Sequence, residues 1–114
     1  MKLNKYGNVK TEIDGIKFDS KHEAIRYTEL KYMERAGLIS HLERQRVFVL
    51  LGAQKDRNGK LLERPVKYIA DFVYKDHDGN LIVEDAKSPA TRTDVYRIKR
   101  KLMLAMYGLR IHEV

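Results

Sequence analysis

By type and spacing, Asp71, Asp85 and Lys87 are the residues of this chain best suited to do chemistry. They lie in two apolar runs, VKYIADFVYK and NLIVEDAK, that read as strands joined by the turn DHDGN. Gly79 suits the left-handed position of a three-residue hairpin loop, His77 to Gly79. That loop pairs Asp76 with Asn80, and counting back along both strands sets Asp71 opposite Asp85. Opposed residues share a face, with Cβ atoms about 4.5–5.5 Å apart. Residues two apart on one strand also share a face, so Lys87 joins the pair and Glu84 points away. A slip of one residue would exchange these roles.

Two carboxylates held opposite each other destabilise a sheet. A hard divalent cation relieves that repulsion, and Mg²⁺ takes one or two carboxylates together with substrate phosphate oxygens. Lys87 can hold a water or steady a developing negative charge. Together these are the parts of metal-assisted phosphodiester hydrolysis. The same three residues also admit a plain reading as an edge-strand ion pair, which contributes little.

These strands need elements to position them. TEIDGIKF centres Asp14-Gly15 between apolar residues, a short hairpin signal. Ser20-Lys21-His22-Glu23 reads as a capping box opening a helix to about Ala36, with Gly37 as its stop and Tyr27, Leu30 and Met33 inward. ERQRVFVLLG is a strand centred on Val47 to Leu51. QKDRNGKLLER, with its Asn58-Gly59 turn, is a basic loop or hairpin tip. After the loop SPATRT, Thr93 or Asp94 caps a second helix through Tyr107, ended by Gly108. LRIHEV closes the chain as a strand. The order is helix, three strands, helix, strand: an α/β arrangement. Because a helix precedes it, the last strand can return parallel beside the hairpin.

The chain has 114 residues and 43% hydrophobic content, which suits a single domain, residues 1–114, with one core. There is no cysteine, so disulfides and thiolate zinc sites are excluded. No apolar run reaches the roughly 20 residues of a membrane span, and the start MKLNKYGNVK lacks the core of a signal peptide. The expectation is a cytoplasmic protein with no membrane partner and no nucleotide cofactor, since no glycine-rich phosphate loop is present. A net charge of +7 points to a polyanion, with nucleic acid first. The histidines at 22, 41, 77 and 112 share no metal-ligand spacing.

In the carboxylates and lysine, the sequence resembles the PD-(D/E)xK nuclease superfamily, whose signature is an acid on one strand and acid-x-Lys on the next. Ala70 stands where a proline is usual. The resemblance is closer to a small phage and prophage branch, similar to Holliday-junction resolvases and phage endonucleases. It is carried by KYGN, DGIKFDSKHEA, LERQ, YIADFVY, VEDAK and the Thr93-to-Lys99 spacing, which together span nearly the whole chain. It implies a restriction-endonuclease-like αβββαβ core and a Mg²⁺ cofactor replaceable by Mn²⁺. Asp71 and Asp85 would be metal ligands, joined by the Ala86 backbone carbonyl, with Lys87 acting on the attacking water. Glu23 would complete the acidic cluster, although as the third helical residue of a capping box it needs no other role.

Around that centre, Lys99 is the first DNA-binding candidate by resemblance. Arg92, Thr93, Arg97, Arg100 and Lys101 crowd the same loop and helix, where cations serve a phosphate backbone. Lys55, Arg57 and Lys60 are further backbone contacts. Gln45 reads as a solvent-facing strand residue or as a site-adjacent one that orients a carboxylate or water. The expected activity is Mg²⁺-dependent endonuclease cleavage of branched DNA. Its alternatives are a DNA-binding module that does not cut, or a nuclease for flaps, nicks, ends or RNA. Two symmetric cuts call for a homodimer, with residues 1–19 as a candidate dimerisation or DNA-clasping arm.

Overall fold

The computed structural model describes residues 2–3 and 9–114. It shows a mixed α/β fold in which two helices flank a four-stranded mixed sheet. The chain begins with β1 (Lys2–Leu3), β2 (Val9–Ile13) and β3 (Ile16–Phe18), a small antiparallel sheet of its own. Asp14 and Gly15 join β2 to β3 with φ of 53° and 77°, the paired positive values of a type I′ hairpin turn. Met1 and Asn4 to Asn8, in the proposed N-terminal arm and including its KYGN segment, lie outside the described residues.

Helix α1 (Lys21–Arg35) starts where the sequence places it, because the Ser20 hydroxyl accepts a hydrogen bond from the Glu23 amide at 3.1 Å. Its buried side carries Ala24, Tyr27 and Leu30, and Met33 packs at the margin. Gly37, at φ 76°, ends it. The first strand of the main sheet, β4 (Ser40–Leu51), begins earlier than its apolar centre suggests. A two-stranded tip follows, β5 (Gln54–Lys55) and β6 (Leu61–Glu63), turning at Asn58-Gly59 as expected of a hairpin tip. Strands β7 (Val66–Lys75) and β8 (Leu81–Asp85) form the central hairpin. After a 3₁₀ turn at Pro89–Thr91, α2 (Asp94–Tyr107) is capped by Thr93 and stopped by Gly108 at φ 67°. Strand β9 (Ile111–Glu113) then pairs parallel to β8. The sheet order is β4-β7-β8-β9. No helix among the described residues is long and apolar enough to cross a membrane.

Two cores sit on opposite faces of this sheet. One joins Val73, Val83 and Ile111 to Tyr96 and Met103 of α2. The other joins Phe72 and Tyr74 to Tyr27 and Leu30 of α1, together with Phe18. Along β7 the regular alternation of faces breaks. Tyr68 and Ala70 belong to the α2 core, yet Phe72 and Tyr74, of the same parity, belong to the α1 core. Strand β4 breaks in step: Leu42 packs with the α1 core, whereas Phe48 and Leu50 lie under α2. The point of inversion is Gln45, which lies opposite Asp71 between the Arg44↔Phe72 and Arg46↔Ala70 pairs. Gln45 has φ 55°, a left-handed conformation that costs a non-glycine residue about 1–2 kcal/mol. Its exposed side chain does not fix this geometry. The two ladders and two cores around it do.

Candidate metal and nuclease site

The β7–β8 register places the site. Phe72↔Glu84, Val73↔Val83, Tyr74↔Ile82 and Lys75↔Leu81 are paired, so Asp71 and Asp85 come next in line. The turn holds this register through the Asp76 carboxylate, which accepts from the amides of Asp78 and Asn80 at 2.9 and 2.8 Å. At the open end of the hairpin the two acids exchange places with backbone. The Asp71 amide donates to Asp85 Oδ1 at 3.0 Å, and the Ala86 amide donates to Asp71 Oδ2 at 2.9 Å. Each carboxylate therefore spends one oxygen on a backbone amide. Asp85 is buried, and its Oδ2 lies 3.6 Å from Lys87 Nζ. That ammonium also sits 4.3 Å from the centre of the Tyr96 ring, a cation–π contact that fixes its position.

The electrostatics of this arrangement are adverse without a cation. Burial, then the charge of Asp85, then that of Glu23 push the Asp71 carboxyl up to about 8. Burial also raises Glu23, against the pull of Arg44, and Asp19 and Asp85 add to the rise. Tyr68 is buried in the α2 core, with its hydroxyl beside Asp85. Burial first, and Asp85 next, drive that hydroxyl well above its ordinary range. Two adjacent acids, one of them paired with a lysine, match the one or two carboxylates that Mg²⁺ takes.

Glu23 lies close enough to Asp71 and Asp85 to feel their charge, but its carboxylate faces Arg44, with Oε1 3.9 Å from the guanidinium. Arg44 in turn stacks on Phe18, 4.5 Å from the ring centre. Among the described residues, no group of three His, Cys, Asp or Glu side chains is arranged to hold a metal ion. The acidic centre is thus a pair, with Glu23 near it and tied to a cation of its own.

Glu84 faces the opposite side, as its place beside Asp85 requires. It is buried and accepts a bidentate pair of 2.7 Å hydrogen bonds from Arg26 of α1, plus a short one from the Tyr74 hydroxyl. Glu113 of β9, not singled out from the sequence, gathers Arg92 at 3.1 Å, Arg100 at 3.0 Å and the Tyr96 hydroxyl at 2.7 Å. The parallel β8–β9 ladder sets Glu113 beside Asp85. Two of the expected DNA-contacting arginines are therefore anchored to an acid, and Arg97 pairs with Asp94 at 3.2 Å. The Thr93 hydroxyl caps α2. Lys99 and Lys101 make no ion pair with any described residue. Lys55 lies on β5, and Arg57 and Lys60 lie in the turn that follows, all three exposed.

The raised Asp71 carboxyl carries a pH signature. A carboxyl with a folded pKa above its unfolded value binds more protons when folded, so its contribution to stability is lost as pH rises. For Asp71 that window runs from the ordinary carboxylate range up to about 8. Metal-free protein is expected to melt at progressively lower temperature across that range, and Mg²⁺ should restore the loss at pH 8. Asp71→Asn should flatten the slope. Thermal melts at a series of pH values, with chelator or Mg²⁺, check this, and a slope unchanged by Asp71→Asn would refute it.

A family model described as a protein of unknown function (DUF1064) matches residues 3–112. Comparison with curated proteins and with solved structures finds no match.

Proposed function

The chain belongs to the DUF1064 family, and we propose that it is a metal-dependent DNA endonuclease with a restriction-endonuclease-like core, acting on branched DNA. The observation that carries this reading is the Asp71–Asp85 pair, each acid held by a backbone amide, with the Lys87 ammonium 3.6 Å from Asp85. A stability role does not account for like charges brought together at the end of a hairpin. Asp71 and Asp85 would hold Mg²⁺, with the Ala86 carbonyl as a further ligand. When bound, that ion supplies charge stabilisation at the phosphate and a more acidic water. Lys87, pinned between Asp85 and the Tyr96 ring, orients the attacking water and offsets negative charge developing on the phosphorane oxygens. Lys99 and Lys101, with the basic tip at Lys55, Arg57 and Lys60, supply cations for the DNA backbone. A homodimer suits paired cuts.

The test is incubation with labelled four-way, flap, duplex and single-stranded DNA, with and without Mg²⁺. Cleavage of the four-way substrate only when Mg²⁺ is present is the expected result. No cleavage of any substrate with Mg²⁺ or Mn²⁺, alongside tight binding, would leave the second reading, a DNA-binding module that does not cut. The Glu23–Arg44 contact favours that second reading, since it holds the third acid away from the pair.

Glu23 has its own experiment. Gln at this position keeps the helix start, because the cap bond runs from the backbone amide to Ser20. Glu23→Gln should melt near the wild-type temperature. If Glu23 serves the metal pair, cleavage should fall by tenfold to a hundredfold, the order seen when a supporting group around a metal is removed. Normal cleavage at low Mg²⁺ would reduce Glu23 to a partner of Arg44.

A further inference from the structure

Beyond Gln45 and Asp71, β4 and β7 continue as a two-stranded ribbon, because the β8 pairing reaches only to Phe72. The segment joining the two strands carries the tip, β5 and β6. This tip is a built hairpin rather than a loose loop. The Asp56 carboxylate accepts from the amides of Asn58 and Lys60, both at 2.9 Å, and Gly59 takes the left-handed position at φ 84°. The same device closes the β7–β8 hairpin at Asp76. Gln54 pairs with Glu63 and Lys55 with Leu61, so Leu62 is the extra residue of a bulge. The bulge leaves Leu62 without a partner in the ladder, and neither core takes it up. At 61% it is the most exposed large apolar residue from β4 to β7. Around it, residues 54–67 carry five cations, Lys55, Arg57, Lys60, Arg64 and Lys67, against two acids. Asp56 is committed to its own turn, and none of the five cations forms an ion pair with a described residue.

We infer that this tip is the element with which the chain reads branched DNA, by setting Leu62 between bases where their stacking is interrupted. The inference rests on the DNA reading above and names the device that selects the substrate structure. Five unpaired cations on one hairpin fit a phosphate backbone, and a two-stranded ribbon has the width that the major groove of DNA admits. A cationic hairpin alone binds any duplex. The apolar residue supplies the discrimination. Proteins that kink DNA set such side chains between base steps, at the cost of unstacking them. At a branch point the stack is already broken, so that cost falls and an inserted leucine favours branched over continuous DNA. Rigidity suits the role, because a hairpin fixed by Asp56 loses little freedom on insertion. Reach suits it too. Leu62 is nine residues along the chain from Asp71, at most about 30 Å of extended strand, which is within one turn of duplex. One chain can therefore hold a branch at its tip and a phosphate near that branch at the carboxylate pair.

A four-way junction carrying 2-aminopurine beside the crossover, titrated with the full chain in the presence of chelator, decides it, since that base brightens when unstacked. Wild type should raise the fluorescence and bind the junction more tightly than a continuous duplex carrying the same base. Leu62→Ala should remove the rise and cut the preference for the junction about tenfold, the effect of losing most of a buried leucine side chain, with duplex affinity held within about twofold. Leu62→Lys should also lose the rise and the preference, whereas a tip acting by charge alone binds every DNA more tightly with this variant. Lys55→Ala combined with Arg57→Ala should weaken junction and duplex alike and lower the salt slope by about two. Because Leu62 is exposed, far-UV circular dichroism of its variants should match wild type. Junction preference and fluorescence that survive Leu62→Ala overturn the inference. A chain that cuts with Mg²⁺ yet leaves the base stacked overturns it and keeps the nuclease reading. One that unstacks the branch and never cuts upholds the inference and removes that reading.

Discussion

Asp85→Asn is expected to abolish Mg²⁺-dependent cleavage while leaving the fold intact. Its amide oxygen still accepts the Asp71 backbone hydrogen bond that Asp85 Oδ1 accepts now, so the end of the β7–β8 hairpin stays closed. What goes is the charge. Asp85 is the second-largest cause of the upward shift on Asp71, so metal-free protein should hold its melting temperature or gain at pH 8. The loss of cleavage should be on the order of a thousandfold, because metal stabilisation of a transition state is worth several kcal/mol and each 1.36 kcal/mol is tenfold. A variant that melts normally and cuts at the wild-type rate would dismantle the site. A variant that fails to cut because it has unfolded would show itself in the melt.

The second large effect is on stability. Arg26→Ala should cost about 3 kcal/mol, because removing one partner leaves an uncompensated charge where the pair was buried. Glu84 is 3% exposed in its side chain, and Arg26 is 23%, so the solvent-facing part of the arginine lowers the figure from the fully buried case. The Tyr74 hydroxyl would still donate to Glu84, but one neutral donor does not replace a bidentate guanidinium. Glu84→Gln should cost less, since an amide oxygen still accepts. Arg26→Ala combined with Glu84→Leu should recover part of the loss, because no charge then remains buried. Urea midpoints of the four proteins check the series. A cost under about 1 kcal/mol for Arg26→Ala would class the pair with surface ion pairs.

The central hairpin was legible because DHDGN fixes a register by itself: an Asx-type turn with glycine at the left-handed position permits one alignment, and the face of every residue follows. Helix ends were legible for the same local reason, with Ser20 and Thr93 at the starts and Gly37 and Gly108 at the stops. The start of β4 was hidden in SHLERQ, whose charges mask strand pairing that the neighbouring β7 supplies. The inversion at Gln45 has no local signal. It comes from two cores on opposite faces, each claiming part of the same strand. The Arg26–Glu84 clamp was half visible, since the register turned Glu84 away from Asp85, but its partner lies 58 residues earlier on a helix. Glu113 was missed for a similar reason, because its arginines meet only when β9 returns beside β8.

The face inversion also divides the sheet in time. From Phe72 onward β7 is bonded on both sides, by β4 and by β8, and its amides open only when much of the domain opens. Before Asp71 it is bonded to β4 alone, so that stretch can fray as a ribbon without breaking the rest. Asp71 lies on the seam. Opening of the ribbon would loosen the strand on one side of the carboxylate pair while the other side holds, so hydrogen exchange should change character at this residue. A cation, were Asp71 and Asp85 to hold one, would tie the slow-exchanging part of the sheet to the fast one.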